Sequence, residues 1–323
     1  MGLKMIKDVL KKLEPLDEQI AALRGDPADE KMTAITTHAA ELAALSAQED
    51  AILEQVGALT AEDRVFLARY PSRPHIDEIV DALFTDFFEQ RGDRQCKEDA
   101  AILGGVALFH GTPVTVIGHR KGSTLEENLR CNFGMPGPEG YRKALRLMKQ
   151  AEKFGRPIFT FIDTPGAYPG KDAEEHGQGE AIARNLMEMS GLTVPVIAVV
   201  TGEGSSGGAL ALGVANRILM LENAVYSVLS PEGFASILWK DSSRSGEACE
   251  MMKLTAQDLY RDGIVEEVIP EPIGGAQRSH TALFASMDEA LRRQLRSLSR
   301  MSGRQLADQR YQKFRQIGEM RKA

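Results

Sequence analysis

The chain has 323 residues, of which 43% are hydrophobic, and a formal net charge of -7 at neutral pH. This length allows one large hydrophobic core with appended elements, because single cores stop growing near about 250 to 300 residues. The negative charge gives no field that would gather polyanions, and the three scattered cysteines form no CxxC pair, so nucleic acid as the main partner, a zinc ribbon and a disulfide framework are not expected.

The first residues, MGLKMIKDVLKKLEPL, lack the apolar stretch of a signal peptide. No run in the sequence reaches the roughly 18 apolar residues that a membrane span needs. We therefore expect a cytoplasmic protein without a membrane partner.

Residues 1–56 are rich in Ala, Leu, Glu and Lys with apolar positions at helical spacing, interrupted once at residues 24–27. This pattern predicts a helical hairpin that serves as a scaffold or dimer arm. Two prolines in residues 66–74 then oppose helix continuation. We expect a helical extension over residues 1–70, a main domain over 71–280 and a C-terminal helical segment over 281–323.

Alternating strands and helices are predicted after residue 76. Residues 106–109 and 114–117 are short apolar runs around a turn at 110–113, which favours an antiparallel pair. A helix is expected to begin at Pro138 and to stop near Gly155. Its predicted apolar face consists of Tyr141, Ala144, Leu145, Met148 and Ala151.

Two continuously apolar runs, residues 158–162 and 196–200, are typical of strands that are covered on both faces. A helix is predicted between them, over residues 177–190. Further strands are expected at 218–221 and 226–229, and helices with buried leucines near the C-terminus. The order predicts an α/β fold of βαβ units in one sheet.

The glycine-rich segment 202–210, GEGSSGGAL, fits several motifs at once. Gly202, Gly204 and Gly207 form G-x-G-x-x-G, and Glu222 lies where a dinucleotide fold would place its acidic residue. The segment follows several βα units instead of opening the fold, which is unusual for that motif. A dinucleotide-dependent oxidoreductase is one alternative.

Gly204, Ser206 and Gly208 also fit G-x-S-x-G, the nucleophile elbow of serine hydrolases. His280 is the only histidine further along the chain that could complete a triad. A hydrolase that uses Ser206 is the second alternative. A P-loop is excluded, because residues 166–171 are one residue short of its spacing.

The third interpretation concerns the backbone. Gly207 and Gly208 at the first turn of a helix would leave N–H groups unpaired and unobstructed, as a cradle for an anion. One such donor can lower a barrier by about 3 to 4 kcal/mol. A second glycine-rich segment, residues 163–170, follows the preceding buried strand, and ligands of parallel sheets bind beyond the carboxyl ends of strands. The two segments are expected to flank one crevice.

Five motifs occur in an order and spacing that resemble the carboxyltransferase alpha subunits of multi-subunit acetyl-CoA carboxylases. They are DTPGAYPG, EEHGQGEAIARNLMEMS, GEGSSGGAL, YSVLSPEGFASILWK and IPEPIGGAQR, and LRCNFGMPGPEGYRKALRLM is also similar. The resemblance covers residues 66–278 and extends more loosely over both ends. Ser205 and Phe234 depart from the family pattern.

The resemblance implies a crotonase-like fold and an active site that is shared with a zinc-ribbon beta subunit, in an alpha2beta2 assembly. Further implied partners are the biotin carboxyl carrier protein and biotin carboxylase. The implied reaction transfers the carboxyl group of carboxybiotin, held on the carrier, to acetyl-CoA and forms malonyl-CoA for fatty acid biosynthesis. No metal is expected in this chain.

By the same resemblance, Gly207 and Gly208 form the alpha-side oxyanion hole, which we assign to the biotin ureido oxygen. Residues lining the pocket are expected to bind substrate. The candidates are Gly166, Ala167, Tyr168, Gly204, Ser206, Arg120, Lys121 and Asn132.

Overall fold

Two helices at the start of the chain pack together in the computed structural model, which describes residues 6–24 and 38–319. They are α1 (Ile6–Arg24) and α2 (Ala39–Leu53). Leu13 of α1 and Leu53 of α2 lie in one buried apolar cluster with Leu67. The predicted helices are confirmed, and the predicted break begins where α1 ends; residues 25–27 lie outside the described part.

Eight strands of the described chain form one mixed sheet in the order β1-β2-β3-β4-β5-β6-β8, with β7 paired to the far end of β5. The pairs β1–β2 and β2–β3 are antiparallel, and all pairs from β3 onward are parallel. The strands are β1 (Thr85–Glu89), β2 (Ile102–Phe109), β3 (Thr112–His119), β4 (Ile158–Thr164), β5 (Val196–Ser205), β6 (Arg217–Leu221), β7 (Val225–Ser227) and β8 (Glu267–Ile269).

Apolar runs predicted six of these eight strands, whereas β1 and β8 were not predicted. β4 and the first half of β5 are buried along their whole length, as expected for strands covered on both faces. The predicted hairpin is confirmed, with a tighter turn at His110 and Gly111 between longer strands. The prediction for residues 226–229 was partly wrong, because β7 ends at Ser227.

Helices cover the sheet and surround its parallel half. They are α3 (Ala61–Ala68), α4 (Ile76–Leu83), α5 (Leu125–Arg130), α6 (Pro138–Lys153), α7 (Lys171–Glu175), α8 (Gln178–Gly191), α9 (Ser206–Leu210), α10 (Pro231–Trp239), α11 (Ser245–Met252), α12 (Ala256–Arg261), α13 (His280–Leu298) and α14 (Gly303–Gln316). Within the described residues, no helix combines the length and the apolar composition needed to cross a membrane.

The helix α6 begins at Pro138 and is followed by Phe154 and Gly155, the latter with a positive φ of 67°, as predicted. One residue of its predicted buried face was wrong. Leu147 is fully buried in the main core, whereas Leu145 is only half-buried. The true face is shifted by part of a turn, because the helix packs against both β2 and its neighbour α8.

The C-terminal helices complete the core, as predicted. Leu291 and Leu298 of α13 are fully buried in the main cluster. Arg310 of α14 is fully buried as well, and its guanidinium donates to the backbone oxygens of Met189 (2.9 Å) and Leu192 (2.8 Å). Burial lowers the pKa of Arg310 to about 10. This side chain ties α14 to the end of α8.

We predict that Arg310→Ala lowers the free energy of unfolding by about 3 to 5 kcal/mol, because several buried carbonyls lose their donor at once. Denaturant unfolding of the purified chain measures this loss. Arg304→Ala on the same helix is the control, since that side chain is 94% exposed, and it should change stability by less than about 0.5 kcal/mol. Equal effects of the two substitutions would contradict this role of Arg310.

Candidate active site

The glycine-rich segment 202–210 is a strand that passes directly into a helix. The expected helix start at the glycine pair is confirmed, since α9 begins at Ser206, and β5 continues through Ser205, beyond the predicted residues 196–200. Ser206 takes the turn with a positive φ of 59°, and its side chain is exposed. The first turn of α9 therefore lies at the carboxyl end of a parallel strand, where ligands of such sheets bind.

Gly208 packs against the second glycine-rich segment. A Cβ atom on Gly208 would lie 2.6 Å from the backbone nitrogen of Ala167 and 2.8 Å from the carbonyl carbon of Gly166. Contacts this short with backbone atoms leave room for hydrogen only. The structure thus brings together the two segments that the sequence places at neighbouring strand ends.

The space around Gly207 is more open. A Cβ atom there would make an ordinary contact of 3.5 Å with Ile182. Gly207 is half-buried and Gly208 buried, and both lie in the first turn of α9, whose preceding residue Ser205 makes no capping bond with its side chain. Neither N–H donates to another element within residues 6–24 and 38–319. These donors are available to a negatively charged oxygen.

The segment after β4 holds its shape through its own hydrogen bonds. The N–H of Gly166 donates to the hydroxyl of Thr164 (3.0 Å), and the N–H of Tyr168 donates to the oxygen of Pro136 (2.9 Å). Tyr168 leaves 37% of its surface exposed. The backbone N–H groups of the predicted lining residues Gly166 and Tyr168 are therefore already hydrogen-bonded. These residues can contribute only the shape of the wall and the aromatic ring of Tyr168.

Two other predicted binding residues have different surroundings. Gly204 is buried within β5, where a Cβ atom would lie 2.9 Å from the ring of Tyr226, so its role in the fold is close packing. Asn132 is half-buried and has a positive φ of 46° in a short turn after α5. The exposed Phe133 follows it at 44% exposure.

A buried carboxylate lies beneath the crevice. Asp163, at the end of β4, accepts hydrogen bonds from the ammonium of Lys121 (2.6 Å) and the N–H of Glu203 (3.0 Å). A Cβ atom on Gly202 would lie 2.4 Å from the Asp163 carboxylate, which explains that glycine. Burial opposes ionisation, but Lys121 and these hydrogen bonds outweigh it and hold the pKa of Asp163 below its usual value.

The charge network continues outward from this carboxylate. Glu203 accepts from Arg69 (2.6 Å), which also binds Glu232 (2.7 Å). The guanidinium of Arg120 instead pairs with Asp77 (Nε to Oδ2, 3.0 Å). Of the two predicted cationic contacts, Lys121 therefore lies directly beside the Asp163 carboxylate, whereas Arg120 is held by a separate carboxylate.

Two cavities meet at Lys121. One of about 450 Å³ is lined by Arg120 and Lys121 together with five carboxylate side chains. The other, of about 170 Å³, lies between Lys121, Asp163 and Phe133. Neither is lined by Gly207 or Gly208, so the glycine pair lies outside both cavities.

Two buried side chains near Gly208 were not predicted as site residues, although Tyr141 was predicted to lie on the buried face of α6. The hydroxyl of Tyr141 lies 2.9 Å from the Cβ position of Gly208 and has no hydrogen-bond partner in the described part of the chain. His119 is 2% exposed, and burial lowers its pKa to about 4, so the ring is neutral at physiological pH. Only the position of His119 at the end of an apolar strand could have drawn attention to it.

The residues that a serine hydrolase or a dinucleotide-dependent oxidoreductase would need are not brought together. His280 lies 3.7 Å from Glu78, and no histidine in the described residues is hydrogen-bonded to Ser206. Glu222 accepts the N–H of Glu271 (3.1 Å), and Gly202 lies inside β5 instead of a phosphate-binding loop. Neither a hydrolase triad nor a dinucleotide site is assembled by these residues.

The sequence resembles one family throughout. The model of the acetyl co-enzyme A carboxylase carboxyltransferase-like family matches residues 6–318. The acetyl-coenzyme A carboxylase carboxyl transferase subunit alpha of Anoxybacillus flavithermus is 60% identical over 81% of this chain and 80% of its own length. The protein of the same name from Bacillus velezensis is 55% identical over 94% of this chain and 93% of its own.

Solved structures with a similar fold are more distant in sequence. Transcarboxylase 12S aligns with a TM-score of 0.53 and 20% identity over 68% of this chain and 42% of its own. A Pseudomonas malonate decarboxylase hetero-dimer aligns with a TM-score of 0.55 and 16% identity over 67% of this chain and 88% of its own. These likenesses confirm the expected crotonase-like α/β fold.

The different surroundings of the two glycines give a test of the packing. We predict that Gly208→Ala lowers the free energy of unfolding by about 1 to 3 kcal/mol, since the added methyl group would collide with backbone atoms that cannot move aside. Gly207→Ala, with an open position, should cost less than Gly208→Ala. Thermal and denaturant unfolding compare the two variants, and a larger loss for Gly207→Ala would contradict the packing described here.

Proposed function

The chain belongs to the family of acetyl-CoA carboxylase carboxyltransferase alpha subunits, components of a biotin-dependent enzyme, and we propose that its paired glycines bind the oxygen that becomes negative during carboxyl transfer. The substrates would be acetyl-CoA and carboxybiotin presented on a carrier protein, and the product malonyl-CoA. The observation that carries this proposal is the position of the Gly207 and Gly208 N–H groups at the carboxyl end of β5, where they donate to no other element among the described residues.

The surroundings of the pair suit such an oxygen. Backbone amides that are fixed before the reaction need no rearrangement as charge develops. Gly208 is held by close packing on Ala167, and the strand below is fixed by Asp163 and Lys121. The two N–H groups therefore keep their direction without an obstructing side chain.

Carboxybiotin supplies the carboxyl group, and its ureido oxygen carries negative charge once that group leaves. The residues of this chain bind and orient the carboxybiotin. Gly207 and Gly208 donate hydrogen bonds to the ureido oxygen, while Ala167 and Tyr168 line the adjacent wall. Ser206 contributes the turn that exposes these amides, and its hydroxyl has no role in the chemistry.

A second polypeptide would complete the site. Ser206 is exposed and Gly207 half-buried, so a substrate bound to this chain alone would remain open to water on one side. A zinc-ribbon beta subunit that covers this side and holds acetyl-CoA suits the family, and so do an alpha2beta2 assembly, the biotin carboxyl carrier protein and biotin carboxylase as partners. The same proposal includes a cytoplasmic location.

We predict that Gly207→Pro, which removes one N–H donor, lowers kcat by about 100- to 1,000-fold. Because Ser206 precedes the new proline and has a positive φ of 59°, circular dichroism and thermal unfolding must first show that this variant folds. The matched variant Gly207→Ala keeps the N–H and should work at close to the wild-type rate. The assay follows conversion of malonyl-CoA and biocytin to acetyl-CoA and carboxybiocytin in the presence of the beta partner.

Two controls separate this proposal from other chemistry. The chain without its partner should show no turnover, and Ser206→Ala should lose only a modest part of the activity because the amides remain. Equal activity of Gly207→Pro and Gly207→Ala, with both variants folded, would rule out the oxyanion role. Near-complete loss in Ser206→Ala would instead point to the serine as a nucleophile.

A further inference from the structure

A thiol, a carboxylate and an imidazole from three separate segments meet at one place beside the crevice. Ligand atoms of Cys96, Glu139 and His176 all lie within 4.8 Å of one another. We propose that these three side chains bind one Zn²⁺ ion. The expectation from the sequence was that this chain holds no metal, and the three positions are too far apart along the chain to form a recognisable motif.

The chemistry of the three donors matches zinc. Thiolate sulfur, imidazole nitrogen and carboxylate oxygen are the usual protein ligands of Zn²⁺, with three protein ligands leaving a fourth position for water. A thiolate in the set also disfavours Mg²⁺ and Ca²⁺, which select oxygen ligands. The donor set therefore selects zinc over the more abundant hard cations.

Cys96 is presented by a preformed turn. The Asp93 carboxylate accepts the N–H groups of Gln95 (2.9 Å), Cys96 (2.8 Å) and Lys97 (3.2 Å). These bonds fix the backbone of the turn, while the thiol itself is exposed. The backbone is thus ordered, and only the side chain of Cys96 has to rotate toward a metal.

Glu139 supplies a buried negative charge. Its side chain is 3% exposed. Among the described residues, His176 is the one side chain that forms a hydrogen bond with it. The carboxylate of Asp99 is also buried nearby, and Glu139 contributes to the raised pKa of Asp99 after the larger effect of burial. No Lys or Arg side chain pairs with this buried carboxylate among the described residues, and a divalent cation would provide a compensating charge.

His176 is oriented by contacts on both sides. Its Nδ1 atom lies 2.9 Å from Glu139, and its Nε2 atom lies 3.9 Å from Asp172. Arg142 donates to the backbone oxygen of His176 and holds the main chain in place. Asp172 therefore lies beside the ring nitrogen that is not paired with Glu139.

To bind one ion, the more distant ligand atoms have to move slightly closer together. With a Zn–S distance of about 2.3 Å and a Zn–N distance of about 2.0 Å, tetrahedral ligand atoms lie about 3.5 Å apart. Ligand atoms that are up to 4.8 Å apart therefore have to approach one another by about 1 Å through side-chain movement. Cys96 is exposed and His176 half-exposed, so both can make this movement without repacking the core.

Such an ion would stabilise the wall of the crevice that carries Tyr168. Glu139 lies at the start of α6, just after Pro136, whose oxygen accepts the N–H of Tyr168 and the side-chain amide of Gln178 (both 2.9 Å). The site would therefore link the Cys96 turn, the start of α6 and the segment that carries Tyr168. Zinc would make this wall more stable, with no part in the carboxyl transfer.

The test uses the full-length chain without a histidine tag, stripped of metal and titrated with Zn²⁺ against a chromogenic chelator. We expect one ion per chain, and a melting temperature that rises with added zinc. Cys96→Ser and His176→Gln should each raise the Kd by more than about 100-fold, beyond the usual loss of an outer-sphere partner. Co²⁺ in place of Zn²⁺ should give a thiolate charge-transfer band that Cys96→Ser abolishes.

His110→Gln is the matched control. His110 also pairs with a carboxylate, Asp288, at 2.5 Å and is half-exposed, but no thiol belongs to that pair. This variant should bind zinc like the wild type. Absence of stoichiometric zinc binding by the wild type, or unchanged binding in Cys96→Ser and His176→Gln, would overturn the proposal and would leave the carboxyltransferase assignment unaffected.

Discussion

The buried carboxylate of Asp163 joins the ends of three neighbouring strands, and the arrangement of the crevice depends on it. Lys121 lies just after β3, Asp163 is in β4, and Glu203 is in β5. Only glycine fits at position 202, because the carboxylate occupies the place of a side chain. The same close approach brings the two glycine-rich segments into contact at Gly208. A charge buried this deeply is stable only while its cation remains.

The chemistry assigned to the crevice follows from this rigid base. Amides at the first turn of α9 are free because the strand passes into the helix without a loop or a side-chain cap. Beneath them, His119 is neutral and the hydroxyl of Tyr141 makes no hydrogen bond within the described residues, so neither of these two side chains places a charge under the glycine pair. In the proposed function, this chain fixes the direction of the two amides, and a second subunit would cover the side on which Ser206 is exposed.

Continuous apolar runs predicted the parallel strands because a strand covered on both faces needs no alternation. The helix start at the glycine pair was predicted, but the continuation of β5 through Ser205 was not, since glycine patterns do not distinguish a strand end from a loop. Nor was the Asp163–Lys121 pair, because it joins residues from different strands. Cys96, Glu139 and His176 meet only through tertiary packing. The domain division at residues 70 and 280 and the roles of the predicted binding residues remain predictions.

The most direct measurement is the unfolding free energy of the wild type and Lys121→Met as a function of pH. Without Lys121, burial should raise the pKa of Asp163, so the variant should be about 3 to 5 kcal/mol less stable near neutral pH. This difference should shrink as the pH falls through that raised pKa and Asp163 becomes protonated. Lys149→Met, which breaks a half-exposed pair, should cost about 1 kcal/mol or less. A loss in Lys121→Met that is equally small, or that does not change with pH, would contradict the account.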